Sequence, residues 1–260
     1  MKAHLAPLAL LALVLSAQRS PADEVPPPAE ILKQVLNTDA WGLGDATVSA
    51  RAIIKDGRGS ARELTFNGRS RRYAPPLTKS LIRFSAPADV AGVGFLQIQK
   101  ADEDDDRYLF LPELGKSRRV AGNTRSSSFM GTDFSYADLD RRDLREGTAI
   151  SKGVEQIGKF ACYHLEVTPK RADSPYAKVE LWVRSDNFVP LRTLMWNRAG
   201  VLLKTLVAQE LRRVDGHWFL TKSLMTNHAD GRTTELVLDD IQAKVQVADD
   251  EFTVRTLEKT

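Results

Sequence analysis

Ser126-Ser127-Ser128 is a run of three hydroxyls, but a serine becomes a nucleophile only with a base beside it in space. The chain carries no G-x-S-x-G elbow, no H-E-x-x-H, no P-loop and no dinucleotide fingerprint. Beyond the N-terminus the histidines are His164, His217 and His228, all on or beside strand patterns and without ligand spacing among themselves. Asp102, Asp104 and Asp106 fall at positions 1, 3 and 5 of a calcium-loop pattern, with Glu113 at position 12. Position 6, where the sharp turn needs glycine, is Arg107, and Tyr108 to Leu111 reads as a strand that cannot wrap an ion. An acidic hairpin tip is the better reading. No catalytic residue, metal or cofactor is expected from these patterns.

Cys162 is the only cysteine, so no intramolecular disulfide can form, and its alternating context suits a small core residue. Lys and Arg total 37 against 34 Asp and Glu, a net charge of +3 that is well mixed and does not point to nucleic acid. Basic residues gather at Arg69, Arg71 and Arg72, and again at Lys116, Arg118 and Arg119. They suit anionic lipid headgroups or an acidic partner, and equally a solvated strand face.

The N-terminus reads as a signal peptide. Met1-Lys2-Ala3-His4 is a short basic start, Leu5 to Leu15 is apolar, and small residues follow, with cleavage expected after Ala17 or Ala22. The apolar run is too short for a spanning helix of about 20 residues. No cysteine stands near the cleavage site to accept a lipid anchor, and no later segment is apolar enough to span. The expected mature chain, residues 23–260, is one diffusible extracytoplasmic domain and a monomer. Residues 18–28 are Pro-rich, and Ala29 to Thr38 then reads as a helix, with Leu32, Val35 and Leu36 on one face. From Ala46 the period changes to two. Strands are expected over 46–54, 62–66, 81–84, 95–99, 107–111, 161–168, 178–184, 191–196, 201–212, 217–227 and 232–243, with breaks such as Asp56-Gly57, Asp215-Gly216 and Asp230-Gly231. No helix pattern alternates with them, which excludes a parallel α/β sheet and predicts an antiparallel meander, closed or half closed.

Pro112 to Asp143 departs from the meander, mixing turn and basic residues with Phe129, Met130, Phe134, Tyr136 and Leu139. So long a loop in a compact domain is usually functional. One side of a curved sheet lined by Val, Ile, Leu, Phe and Trp would form an apolar trough. The first helix and the aromatic segment would cover it. A trough of this kind binds acyl chains by burial, each CH₂ contributing about 0.8 kcal/mol. A lid that simply completes a packed core fits the pattern as well.

Three strings carry a family resemblance. They are Tyr108-Leu109-Phe110-Leu111-Pro112, then Lys116-Ser117-Arg118-Arg119-Val120, then Ser128-Phe129-Met130-Gly131-Thr132-Asp133-Phe134-Ser135-Tyr136-Ala137-Asp138-Leu139. Together with the order of elements they resemble the bacterial outer membrane lipoprotein-sorting family of the LolA/LolB-like superfamily, over essentially the whole mature chain. The resemblance implies a mainly β fold, an incomplete antiparallel β-barrel with an N-terminal helix and a lid of short helices and loops. It implies a periplasmic carrier of lipid or lipoprotein acyl chains, with an inner-membrane RND/MMPL-type transporter as a partner. Phe129, Met130, Phe134, Tyr136 and Leu139, with Phe95, Tyr108 and Phe110, are the expected ligand or lid residues. Lys116, Arg118 and Arg119 are the expected headgroup or partner contacts. A periplasmic adaptor that binds no lipid is the alternative, and a filled barrel interior would favour it. A hydrolase of envelope lipids would need a Ser or His with a carboxylate partner in the pocket.

Overall fold

In the computed structural model, residues 25–259 are described, except 39, 41, 43, 122 and 123. The expected signal peptide and both cleavage positions lie outside the described residues. Helix α1 spans Pro28–Asn37. Proline within its first turn loses no hydrogen bond, because the first N–H groups of a helix have no internal partner. Ile31, Leu32, Val35 and Leu36 form its buried stripe.

Six strands follow: β1 (Ala46–Lys55), β2 (Ala61–Ala74), β3 (Leu77–Ala86), β4 (Gly94–Ile98), β5 (Asp106–Leu111) and β6 (Lys116–Arg119). Two short helices, α2 (Tyr136–Asp140) and α3 (Arg142–Glu146), precede β7 (Thr148–Ile157) and β8 (Phe160–Thr168). Then come β9 (Lys178–Arg184), β10 (Pro190–Trp196), β11 (Leu202–Val214), β12 (His217–Asn227), β13 (Thr233–Ala243) and α4 (Val254–Leu257). The strands form one sheet in the order β6-β5-β4-β3-β2-β1-β13-β12-β11-β10-β9-β8-β7. Every pairing is antiparallel, and the two meanders join where β1 meets β13, with Val48 opposite Ile241. Edge strands β6 and β7 do not pair with each other, so the barrel is incomplete, as expected. No described helix is long and apolar enough to cross a membrane.

The turns follow their residues. Asp215 and Gly216 sit at φ 48° and 88° between β11 and β12, the positive-φ pair that a two-residue type I′ hairpin requires. Two strands were not foreseen. β6 carries no large apolar side chain to mark it. β7 is mostly exposed, with Ile150 and Val154 each 49% accessible and a register break at Ser151/Gly153. An edge strand with a bulge and little burial lacks the alternation that reveals a strand.

The two faces of the sheet have separate cores. Phe95 of β4 turns inward to join Leu64, Phe84, Phe129 and Tyr136, while its neighbour Leu96 turns outward. There Leu96 packs with Leu81 and Phe110 beneath Val247, Phe252 and Leu257 of the C-terminal segment. The segment between β6 and β7 joins the two edges of the sheet, and its residues 129–144 lie over the cavity that both meanders line. Helix α1 packs beside them against α3 and β7.

Candidate functional site

The lid is built around a tight turn. Met130 and Gly131 lie at φ 52° and 77°, and Thr132 N donates to Phe129 O at 3.0 Å. Phe129 N donates to Phe134 O at 2.8 Å, and a bridge pairs Ser128 with Ser135. The string Phe129-Met130-Gly131-Thr132-Asp133-Phe134 is thus a miniature hairpin. It sets Phe129 against Phe95 at 5.0 Å and Tyr136 at 5.6 Å between ring centroids, both edge-on, the favoured arrangement for aromatic pairs.

Polar contacts fasten this segment to the sheet. Asp133 N donates to Thr234 Oγ1 at 2.9 Å, and Thr234 Oγ1 donates to Asp133 Oδ2 at 2.7 Å. Arg232 donates to Gly131 O at 2.6 Å. Asp138 of α2 accepts from Ser135 N at 2.7 Å, Tyr176 Oη at 2.6 Å and Lys204 Nζ at 2.8 Å. Burial, and then the Asp138 carboxylate beside it, pushes the Tyr176 phenol well above its ordinary pKa, so it remains a protonated donor. Asp143 of α3 accepts from Arg125 at 3.1 Å and from Ser174 Oγ at 2.7 Å.

Under the lid lies a cavity of about 210 Å³. Both meanders line it: Val48, Ala52, Phe66 and Ile82 from one, Val179, Leu181, Met195, Met225, Leu236 and Leu238 from the other. Val35 of α1 and Phe129, Phe134, Ala137, Leu139 and Leu144 of the lid close it. Its described lining includes no histidine or cysteine.

The structure sorts the expected site residues. Phe95, Phe129, Phe134 and Leu139 line the cavity, and Tyr136 and Met130 pack against the same aromatic cluster. Tyr108 and Phe110 do not join them. Tyr108 pairs with Leu96 and Phe110 with Gly94, and the period of two sends both rings to the outer face, leaving Leu109 on the inner one. Lys116, Arg118 and Arg119 sit on edge strand β6 and do not line the cavity, and Arg119 is paired with Asp106 at 2.6 Å. None of Trp182, Trp196 and Trp218 lines the cavity, and Met195 and Met225 fill the part expected of tryptophan. Met suits an irregular apolar wall.

The other candidate groups are also placed. His164 stacks on Trp182 with centroids 4.1 Å apart, and its Nδ1 lies 2.8 Å from Glu155 Oε1, away from the cavity. Cys162 is fully buried beside Trp182 and Leu191. The acidic tip is a set of ion pairs: Asp104 with Arg142 and Arg171, Asp105 with Arg107 and Arg145, and Asp106 with Lys100 and Arg119. It ties the β4–β5 turn to α3. Ser128 Oγ donates to Thr132 O at 2.5 Å within the lid hairpin.

A family model described as "Uncharacterized protein" matches residues 77–259. No curated protein matches the chain in sequence. A domain from Vibrio parahaemolyticus, assigned as an outer membrane lipoprotein-sorting protein, has a similar structure, with a TM-score of 0.82 and 26% identity over 89% of this chain and 98% of its own. A DUF1329 family protein from Desulfovibrio piger superposes with a TM-score of 0.80 and 26% identity, over 90% of this chain and 100% of its own. A LolA superfamily protein from Nitrosomonas europaea, at 19% identity, shares the fold with a TM-score of 0.70 over 88% of this chain and 98% of its own.

Proposed function

The chain belongs to the outer membrane lipoprotein-sorting family within the LolA-like superfamily, and from that premise we propose that it is a periplasmic carrier of lipid or lipoprotein acyl chains. The observation that carries this reading is the apolar cavity held between both halves of the sheet and roofed by the Phe129–Leu144 lid. A side-chain-filled interior would have favoured the adaptor reading.

The cavity is smaller than the roughly 300–1,000 Å³ of ordinary ligand sites. A long chain needs more room than this, so loading displaces the lid. Each methylene that then enters contributes about 0.8 kcal/mol, so a long chain binds without any covalent step. Cargo moves from an inner-membrane transporter of the RND/MMPL class toward the outer membrane. The exposed cations of β6, Lys116 and Arg118, offer a contact for that partner.

Titration with a fluorescent long-chain fatty acid tests the reading. Saturable uptake is expected, and Ala52→Phe, which adds a ring at a cavity-lining position, weakens it. No uptake by the wild type overturns the proposal.

A further inference from the structure

Among the described residues, four charged side chains line the cavity: Arg69, Asp138, Arg141 and Asp143. Three have a partner of opposite charge. Arg69 is paired with Glu251, Asp138 with Lys204 at 2.8 Å, and Asp143 with Arg125 at 3.1 Å. Arg141 differs. Its Nη2 donates to Val35 O at 2.8 Å in the last turn of α1, and no described carboxylate lies within salt-bridge distance. A guanidinium carries five N–H donors, so most of its capacity is unspent on this one carbonyl.

The surroundings sharpen the imbalance. Burial, with Arg72 and Arg145 nearby, pushes the Arg141 pKa down to about 10, so the charge is retained at neutral pH but poorly compensated. The backbone is also special. Arg141 joins α2 to α3 at φ 52°, a left-handed conformation that a non-glycine residue rarely adopts. Strain of this kind persists where the surrounding structure imposes it, and it gathers at ligand clamps and switches. Arg141 is half-buried at the cavity wall, and a cation partly withdrawn from water beside an apolar cavity is what the charged end of an amphiphile needs.

We propose that Arg141 is the anion-binding residue of the cavity, taking the carboxylate or phosphate oxygen of an amphiphile whose chain lies among Val179, Met195 and Leu236. This rests on the carrier reading and adds a polarity to it: the bound chain has its charged end at the α1–α3 side of the lid. The bond to Val35 O makes the same residue a clasp between lid and α1. An anion competing for its donors loosens that clasp.

Displacement of a neutral fluorescent probe by dodecanoate, dodecyl phosphate and dodecanol tests this on the full chain. The wild type is expected to prefer both anions over dodecanol by about tenfold or more, the range of one charge-assisted hydrogen bond. Arg141→Met is expected to bind all three alike, with dodecanol binding retained. Inorganic phosphate alone is expected not to displace the probe; displacement at dodecyl phosphate concentrations would mark a free-anion site and overturn the amphiphile assignment. No preference in the wild type, or a preference surviving in Arg141→Met, also overturns it. Failure of dodecanol as well would instead remove the carrier reading on which it rests. Carboxyl-labelled dodecanoate keeps the test independent of the variant's folding: in the wild type its carboxyl must titrate below the free value, whereas an apolar site without the cation would raise it.

Discussion

Replacing Phe129 with alanine is expected to cost about 3–5 kcal/mol of stability, the range for deleting a buried aromatic ring. Phe129 is only 6% exposed and touches Phe84, Phe95 and Tyr136, so its loss leaves a void shared by the lid and the inner face of β3 and β4. The turn at Met130-Gly131 fixes the backbone that carries the ring. Denaturant unfolding measures the loss. Phe129→Leu, which keeps an apolar body, should retain more of the stability and of the acyl-chain uptake than Phe129→Ala. A drop of less than about 1 kcal/mol for Phe129→Ala would show that the ring is not a structural anchor of the lid.

Asp138→Ala is expected to be comparably severe, for an electrostatic reason. Asp138 and Lys204 are 8% and 15% exposed, and removing the carboxylate leaves a nearly buried ammonium without its counter-charge. Breaking one side of such a pair costs about 3–5 kcal/mol. Tyr176 Oη and Ser135 N lose their acceptor in the same step. Because these contacts join α2 to the loop before β9 and to β11, the lid should also release its cargo faster, which stopped-flow exchange of the fluorescent fatty acid would read. The pair Asp138→Ala with Lys204→Met should recover much of the loss, since the stranded charge is gone. Additive costs in that double-mutant cycle would show that the two side chains do not act as a pair.

Strands with one buried face were legible in the sequence because side-chain period and turn chemistry agree there. β9 and β12 begin and end where the alternation and the Asp-Gly breaks place them. The lid was legible as an aromatic segment, and four of its expected residues and neighbours, Phe95, Phe129, Phe134 and Leu139, meet at one cavity. Adjacency within a sequence string misled for Tyr108 and Phe110, because neighbours two apart in a strand share a face, and theirs is the outer one. Asp138 and Arg141 carried no local signal. Asp138 finds Lys204 across 66 positions, and what sets Arg141 apart is the absence of a carboxylate that only the assembled cavity reveals.

A fatty acid bearing a photoreactive group along its chain tests the central claim most directly, because labelled peptides report where the chain lies. The account predicts labelling of the concave face and lid: β1, β9, β10, β12 and β13 together with residues 129–144. Labels confined to the outer face around Phe110, Trp182 or Trp196, or no labelling at all, would contradict it.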